Sequence, residues 1–208
     1  MKEKTEELMH LMEEAFSEYG FKKVSKNKFK RKIGECTQGI IIDVNKIRGI
    51  EQVHIYIIIN FDYKKINNLV MYLQNDYTYK GWKTGAFPNI GNFLPDKNCD
   101  FYICKDTDLK PIVSKIHSVI KEYGFPILEK FDTYQKFENS LYEQNEIKRF
   151  NLIHGLEWNL LGLSVMLKNH PTEEILEKFH DKLCDENGSL EGLKNRLSDQ
   201  DKIREVLK

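Results

Sequence analysis

The chain has 208 residues, of which 40% are apolar, 31% charged and 12% aromatic, and its 32 basic and 32 acidic residues cancel. That balance removes any global field steering the molecule to nucleic acid or to a membrane surface. A chain this long buries roughly 70% of its unfolded surface, so it needs neither disulfide nor metal to fold, and its composition excludes a disordered class.

The first helix is predicted over about residues 3–20. Leu8, Leu11, Met12, Ala15, Phe16 and Tyr19 recur at helical spacing, and Gly20 ends the run. The period then becomes two. Phe29, Arg31 and Ile33 alternate with Lys28, Lys30 and Lys32. Ile40 to Val44 is a short apolar run interrupted by Asp43, and Val53, Ile55, Ile57, Ile59 and Phe61 alternate with His54, Tyr56, Ile58 and Asn60. These read as three strands of a meander joined by links too short for crossovers. A short helix is predicted over 62–74, with Ile66, Leu69, Val70 and Leu73 on one face. Residues 76–97 form a long link rich in Gly, Pro and aromatics, and Cys99 to Lys105 reads as a further strand. Asp106-Thr107-Asp108 caps a helix whose stripe runs from Ile112 to Tyr123.

Glu-Tyr-Gly-Phe occurs twice, at Glu18 to Phe21 and at Glu122 to Phe125. Gly in that position, followed by Pro126 in the second copy, predicts a helix end at each. Beyond Phe131 the chain reads as helical. One long helix is predicted over 143–169, where Gly155 and Gly162, seven apart, imply close approach of another helix. Pro171 opens the next helix, and Ser189 and Ser198 read as caps.

The order of these features resembles an uncharacterised bacterial family, domain of unknown function 4304. The residues that carry the resemblance are Gly20-Phe21-Lys22 with Phe29 and Arg31, then the apolar strand pair. Phe101-Tyr102, Asp106-Thr107-Asp108-Leu109 and Gly124-Phe125-Pro126 with Leu128 and Phe131 follow. It covers roughly residues 5–141. The family's Arg-x-Gly-x-Leu stretch and tryptophan pair are absent, and Trp82 sits elsewhere. The family has no assigned activity. Its suspected place among toxin–immunity genes implies a binding role of immunity type.

Three constellations bear on function. Lys22, Lys23, Lys26, Lys28, Lys30, Arg31 and Lys32 place seven cations within residues 22–32. They suit either a phosphate or acidic-partner contact or an edge strand whose lysines block edge-to-edge pairing. The edge reading is favoured, since stacking aromatics are not interleaved, and nucleic acid is not the expected partner. Tyr77, Tyr79, Trp82, Phe87 and Phe93 crowd the long link and suit a protein interface, because amphipathic aromatics serve as anchors there. Asp43, His54 and Tyr56 could line an enzymatic cleft at the sheet. His154-x-x-Glu157 has metal-ligand spacing but lacks the matching motif on other helices, so no metal and no cofactor are expected. Phosphate-loop, dinucleotide and nucleophile-elbow motifs are missing.

Cys36, Cys99, Cys104 and Cys184 form no Cys-x-x-Cys pair, which suits reduced thiols. No signal peptide fits the charged first turns, so a cytoplasmic protein is expected, with no membrane contact. The expected fold is α+β. An antiparallel sheet of about four to five strands carries helices 3–20 and 109–123 on one face. Its other face is covered in part by the long link or the tail. A helical C-terminal extension, residues 142–208, is expected to pack on the domain formed by residues 1–141. The expected function is a non-enzymatic protein-binding module using the 76–97 aromatics.

Overall fold

The computed structural model describes residues 1–76, 85–87, 90, 101–143, 155–184 and 189–208. Helix α1 (Lys2–Ser17) buries Leu8, Met9, Met12 and Phe16 along one stripe. Its end is sharp. Gly20 takes φ +77°, Phe21 N–H bonds the Phe16 carbonyl at 3.3 Å and Gly20 N–H the Ser17 carbonyl at 2.9 Å. Those bonds satisfy carbonyls that helix termination orphans. The Phe16 and Phe21 rings, 6.3 Å apart, add the apolar contact that accompanies such a stop.

The chain then runs through β1 (Lys22–Ser25), β2 (Lys28–Ile33), β3 (Cys36–Lys46) and β4 (Gln52–Asp62), with β5 (Gly85–Phe87) and β6 (Phe101–Cys104) following. The sheet order is β1-β2-β3-β4-β5, with β6 also on β4. β1–β2, β2–β3 and β4–β6 are antiparallel. The expected α+β class with an antiparallel sheet holds. Two short strands lay outside the expectation: β1, four polar or β-branched residues too few to show a period, and β5. Phe29, Ile40, Ile42, Val53, Ile55, Ile57 and Ile59 are buried on one face. Phe16 meets Phe29 there edge-on at 5.2 Å, so α1 covers that face. Burying each such side chain is worth about 1.5–3 kcal/mol.

Asp108 caps α3 (Leu109–Val119), accepting from Lys110 N–H at 3.1 Å, as the sequence predicted. The second Glu-Tyr-Gly-Phe does not end this helix. Residues 120–124 form a π turn that leads straight into α4 (Phe125–Glu129). Gly124 has φ −70°, an ordinary right-handed value. Its surroundings are tight instead: a Cβ there would stand 3.0 Å from Ile90 Cδ1, which would have to give by a few tenths of an ångström. Pro126 is tolerated because it falls in the first turn of α4, where an N–H has no partner to lose.

Residues 1–61 and 86–130 form one compact unit, and residues 62–85 and 131–208 a second. The division therefore does not follow a single cut near residue 141. The reason is α2 (Lys64–Gln74), which packs among the later helices α5 (Tyr134–Glu143), α6 (Leu156–Leu167), α7 (Thr172–Lys178), α8 (Leu190–Ser198) and α9 (Gln200–Val206). In this unit Tyr63 is fully buried. Its hydroxyl donates to the Phe131 carbonyl at 2.7 Å and its ring stacks on Phe137 at 5.5 Å. Arg196 Nε donates to the Leu73 carbonyl at 2.9 Å, capping the end of α2. Ser189 caps α8 through Gly192 N–H. Asp199, rather than the expected Ser198, caps α9 through Lys202 N–H at 2.9 Å.

The long helix expected over 143–169 is not continuous. Gly155 takes φ +64° and starts α6, since left-handed backbone cannot continue a helix. The other half of that expectation holds. α6 buries every residue from Trp158 to Ser164, as a central helix must. Gly162 faces α2, its absent Cβ 3.4 Å from Val70 Cγ2 and 3.8 Å from Ile66 Cγ2. That space accepts a methyl group, so Gly162→Ala should stabilise this unit by about 0.5–1 kcal/mol through helix propensity. Urea denaturation of the variant beside the wild type measures it. Among the described residues, no helix is long and apolar enough to cross a membrane.

Candidate functional site

Strand alternation divides the seven cations. Phe29 lies opposite Ile40, and Arg31 opposite Gln38, on the face covered by α1. Lys28, Lys30 and Lys32 lie opposite Ile41, Gly39 and Thr37 on the other face. Lys22, paired with Lys30, joins them. Lys23 turns the other way, its Nζ 3.4 Å from Glu13 of α1. Lys26 sits in the β1–β2 turn and is exposed.

The segment contains an edge strand and its inner neighbour. The edge strand is β1, which carries Lys22 and Lys23, whereas the lysine-dense β2 pairs β3 along its length and β1 from Lys28 to Lys30. Lys28 and Lys30 therefore lie inside the sheet, and Lys22 and Lys23 are the lysines of the edge strand. Lys22 and Lys30 also face each other as a directly opposed like-charge pair, an arrangement that costs sheet stability. Among the described residues, no ion pair engages Lys22, Lys28, Lys30 or Lys32, and all four are exposed. These four side chains are thus open to solvent, whereas Gly39 and Asn60 on the same face are buried.

Farther along the same face stand three rings. The Ile47 N–H to Gln52 carbonyl bond and the contact of Asn60 with Gly39 share one β3–β4 register. That register puts Asp43 opposite Tyr56. His54 pairs with Tyr102 across β4 and β6, the two rings stacked at 4.6 Å and 10°. Tyr56 meets His54 at 3.9 Å. Tyr102, on the short strand β6, remains 45% exposed. Asp43, which accepts from Asn45 Nδ2 at 3.2 Å, and Asp62, which accepts from Asn67 Nδ2 at 2.5 Å, are the carboxylates on this face of β3 and β4.

Asp43, His54 and Tyr56 share a face. The cleft that Asp43 borders, about 420 Å³, opens between α1 and the β1–β2 turn and is lined by Thr5, Met9, Asn27 and Lys46. His54 and Tyr56 are not part of that lining. Glu157 of the His154-x-x-Glu157 motif accepts a hydrogen bond from Lys182 at 2.8 Å. That bond holds the Lys182 ammonium above its ordinary value. His154 lies outside the described residues, and among those described no cluster has metal-ligand geometry. Tyr77, Tyr79, Trp82 and Phe93, and the Phe87 side chain, also lie outside the described residues; the Phe87 backbone belongs to β5.

Arg31 was grouped with the lysines, but its surroundings are different. Its guanidinium lies 4.6 Å from the Phe21 ring centre and 5.0 Å from that of Phe125. The two rings stack at 5.9 Å and 14°. Nε donates to Gln38 Oε1 at 2.8 Å, and a terminal nitrogen donates to the Tyr19 carbonyl at 3.1 Å. Gln38, fully buried, donates on to the Leu128 carbonyl at 3.0 Å. Burial pushes the Arg31 pKa down, with Glu129 opposing it. Each aromatic wall of this clamp is the last residue of a Glu-Tyr-Gly-Phe copy. The repeat was the signal for the clamp, but its partner, Arg31, is a third segment that no spacing rule connects.

No family model, curated protein or solved structure matches this chain. The resemblance to domain of unknown function 4304 therefore rests on its motifs alone.

Proposed function

We propose that this chain is a non-enzymatic binding module that takes an anionic partner on the outer face of its sheet. What supports the reading is the opposed pair Lys22–Lys30. It stands beside exposed Lys28 and Lys32, with no described carboxylate engaging any of the four. A fold gains nothing from such a pair, whereas a bound polyanion neutralises it and releases its own counterions. An immunity-type role, which the family resemblance implies, is the protein-partner form of this reading and calls for an acidic surface on the toxin.

The test separates binding from folding. Lys30→Glu turns a like-charge pair into an opposite-charge one, so the fold should be stabilised by about 0.2–1 kcal/mol. The same change should lower the salt at which the protein elutes from immobilised heparin and flatten the salt dependence of binding. A variant that elutes with the wild type sinks the proposal.

A further inference from the structure

The anionic-partner reading uses the lysines and leaves the rings of the same face without a task. Resting on that reading, we infer that the occupant is a single strand of nucleic acid. Its phosphates lie over Lys22, Lys28 and Lys30, and an unpaired base stacks on Tyr102.

Four observations carry this. First, Tyr102 is a preorganised platform. His54 stacks against it at 4.6 Å and 10°, fixing the ring plane, while 45% of the residue stays exposed. A stacked and solvent-facing ring is what a base needs, because every base offers a π-face. Second, the cations are lysines presented as separate point charges from exposed strand positions, which suits a flexible phosphate chain more than the bidentate geometry a protein carboxylate takes from arginine. Third, the one arginine of the segment is turned inward and rests against both Phe21 and Phe125, so it is not offered to a partner.

The fourth is the layout. Lys30 and Tyr102 stand at opposite corners of the face, with β3 and β4 between β2 and β6. Strand spacing and rise put them roughly 25 Å apart, a diagonal that suits the short end of the range of about 4–16 nucleotides seen for single-strand-binding sheets. Between them lie Gly39 and Asn60, both buried, then Ile41, Ile58 and Tyr56, with one carboxylate, Asp43, which Asn45 Nδ2 engages at 3.2 Å. A duplex keeps its bases inside the helix and gains nothing from the ring. An acidic protein would engage the lysines and have no need of Tyr102.

The probe is a fluorescently labelled oligothymidylate of about 12 nucleotides, followed by anisotropy with the full chain, beside heparin and polyglutamate as ring-free anions. Tyr102→Ala should weaken oligothymidylate binding on the order of ten- to a hundredfold and leave heparin binding unchanged. Tyr102→Phe, which keeps the ring, should bind like the wild type and guards against a folding defect in the alanine variant. Lys30→Glu should weaken both ligands. The inference is overturned if Tyr102→Ala and the wild type bind the oligonucleotide alike. It is equally overturned if a duplex of equal length competes as well as the single strand, or if heparin and polyglutamate bind and the oligonucleotide does not. In those three cases the anionic-partner reading survives. If Lys30→Glu leaves every ligand unaffected, that reading fails and this one with it.

Discussion

Replacing Arg31 with Met is expected to lower the stability of the sheet-containing unit by about 2–4 kcal/mol, because a buried acceptor loses a charged donor. The guanidinium donates to Gln38 Oε1 and to the Tyr19 carbonyl, and Met replaces neither bond. Gln38 is fully buried, so its oxygen is left without that donor and without water. The two phenyl faces also lose their cation, a term of about 0.5–2 kcal/mol. Met fills much of the same volume, so the loss reports polar and cation–π contacts more than a cavity. Lysine keeps the charge but has no planar fork to span both acceptors and both rings, so Arg31→Lys should still cost about 1–3 kcal/mol. Urea titration followed by hydrogen exchange of the β2–β3 amides measures both. Full stability in the methionine variant would show that the clamp holds nothing.

Gly39→Ala should destabilise the same unit by about 1–3 kcal/mol, the range for overpacking a filled site. The side chain of Asn60 occupies the space where a Cβ would stand, its carbonyl oxygen in direct contact. Asn60 is itself buried, at 4% exposure, so it cannot swing into solvent without moving its neighbours. The double variant Gly39→Ala/Asn60→Ala removes the clash and should recover much of the loss. Non-additivity of that cycle is the readout. Additive effects would mean that Gly39 is there for some reason other than the asparagine. Lys30 lies directly opposite Gly39 on the proposed binding face, so the pair of variants also tests whether a flatter surface is needed there.

The elements with a clear period were legible before the structure. α1, β2, β4, α2 and α3 follow the apolar spacing of their own residues, and the caps at Asp108 and Ser189 follow from the short polar side chain that precedes each helix. Local rules failed where the deciding neighbour is distant in sequence. Gly124 has the sequence surroundings of a helix stop, yet its backbone is right-handed and its close neighbour is Ile90, distant in sequence. Gly155 and Gly162 are chemically identical, and only the packing of α2 separates the one that starts a helix from the one that is crossed by another. The lysine strand reads as an edge because edges carry lysine. Whether a strand is at the edge depends on where β1 adds, and four residues without alternation give no warning. The outer-face rings were partly visible, as His54 and Tyr56 alternate away from the core. Tyr102 became their neighbour only through β4–β6 pairing.

The interleaving of the two units bears on how the polypeptide is made. The first unit needs residues 1–61 and 86–130, and the second needs 62–85 and 131–208. Gln38, whose partner is the Leu128 carbonyl, leaves the ribosome long before that carbonyl exists. At about 5–20 residues per second, the apolar face of β2 to β4 waits on the order of several seconds for α3 and α4 to arrive. During that interval α1 is the one described helix of this unit already made. A nascent chain halted between residues 61 and 130 would expose isoleucine-rich strands. Chaperone engagement should therefore peak over that window and fall once Leu128 has emerged.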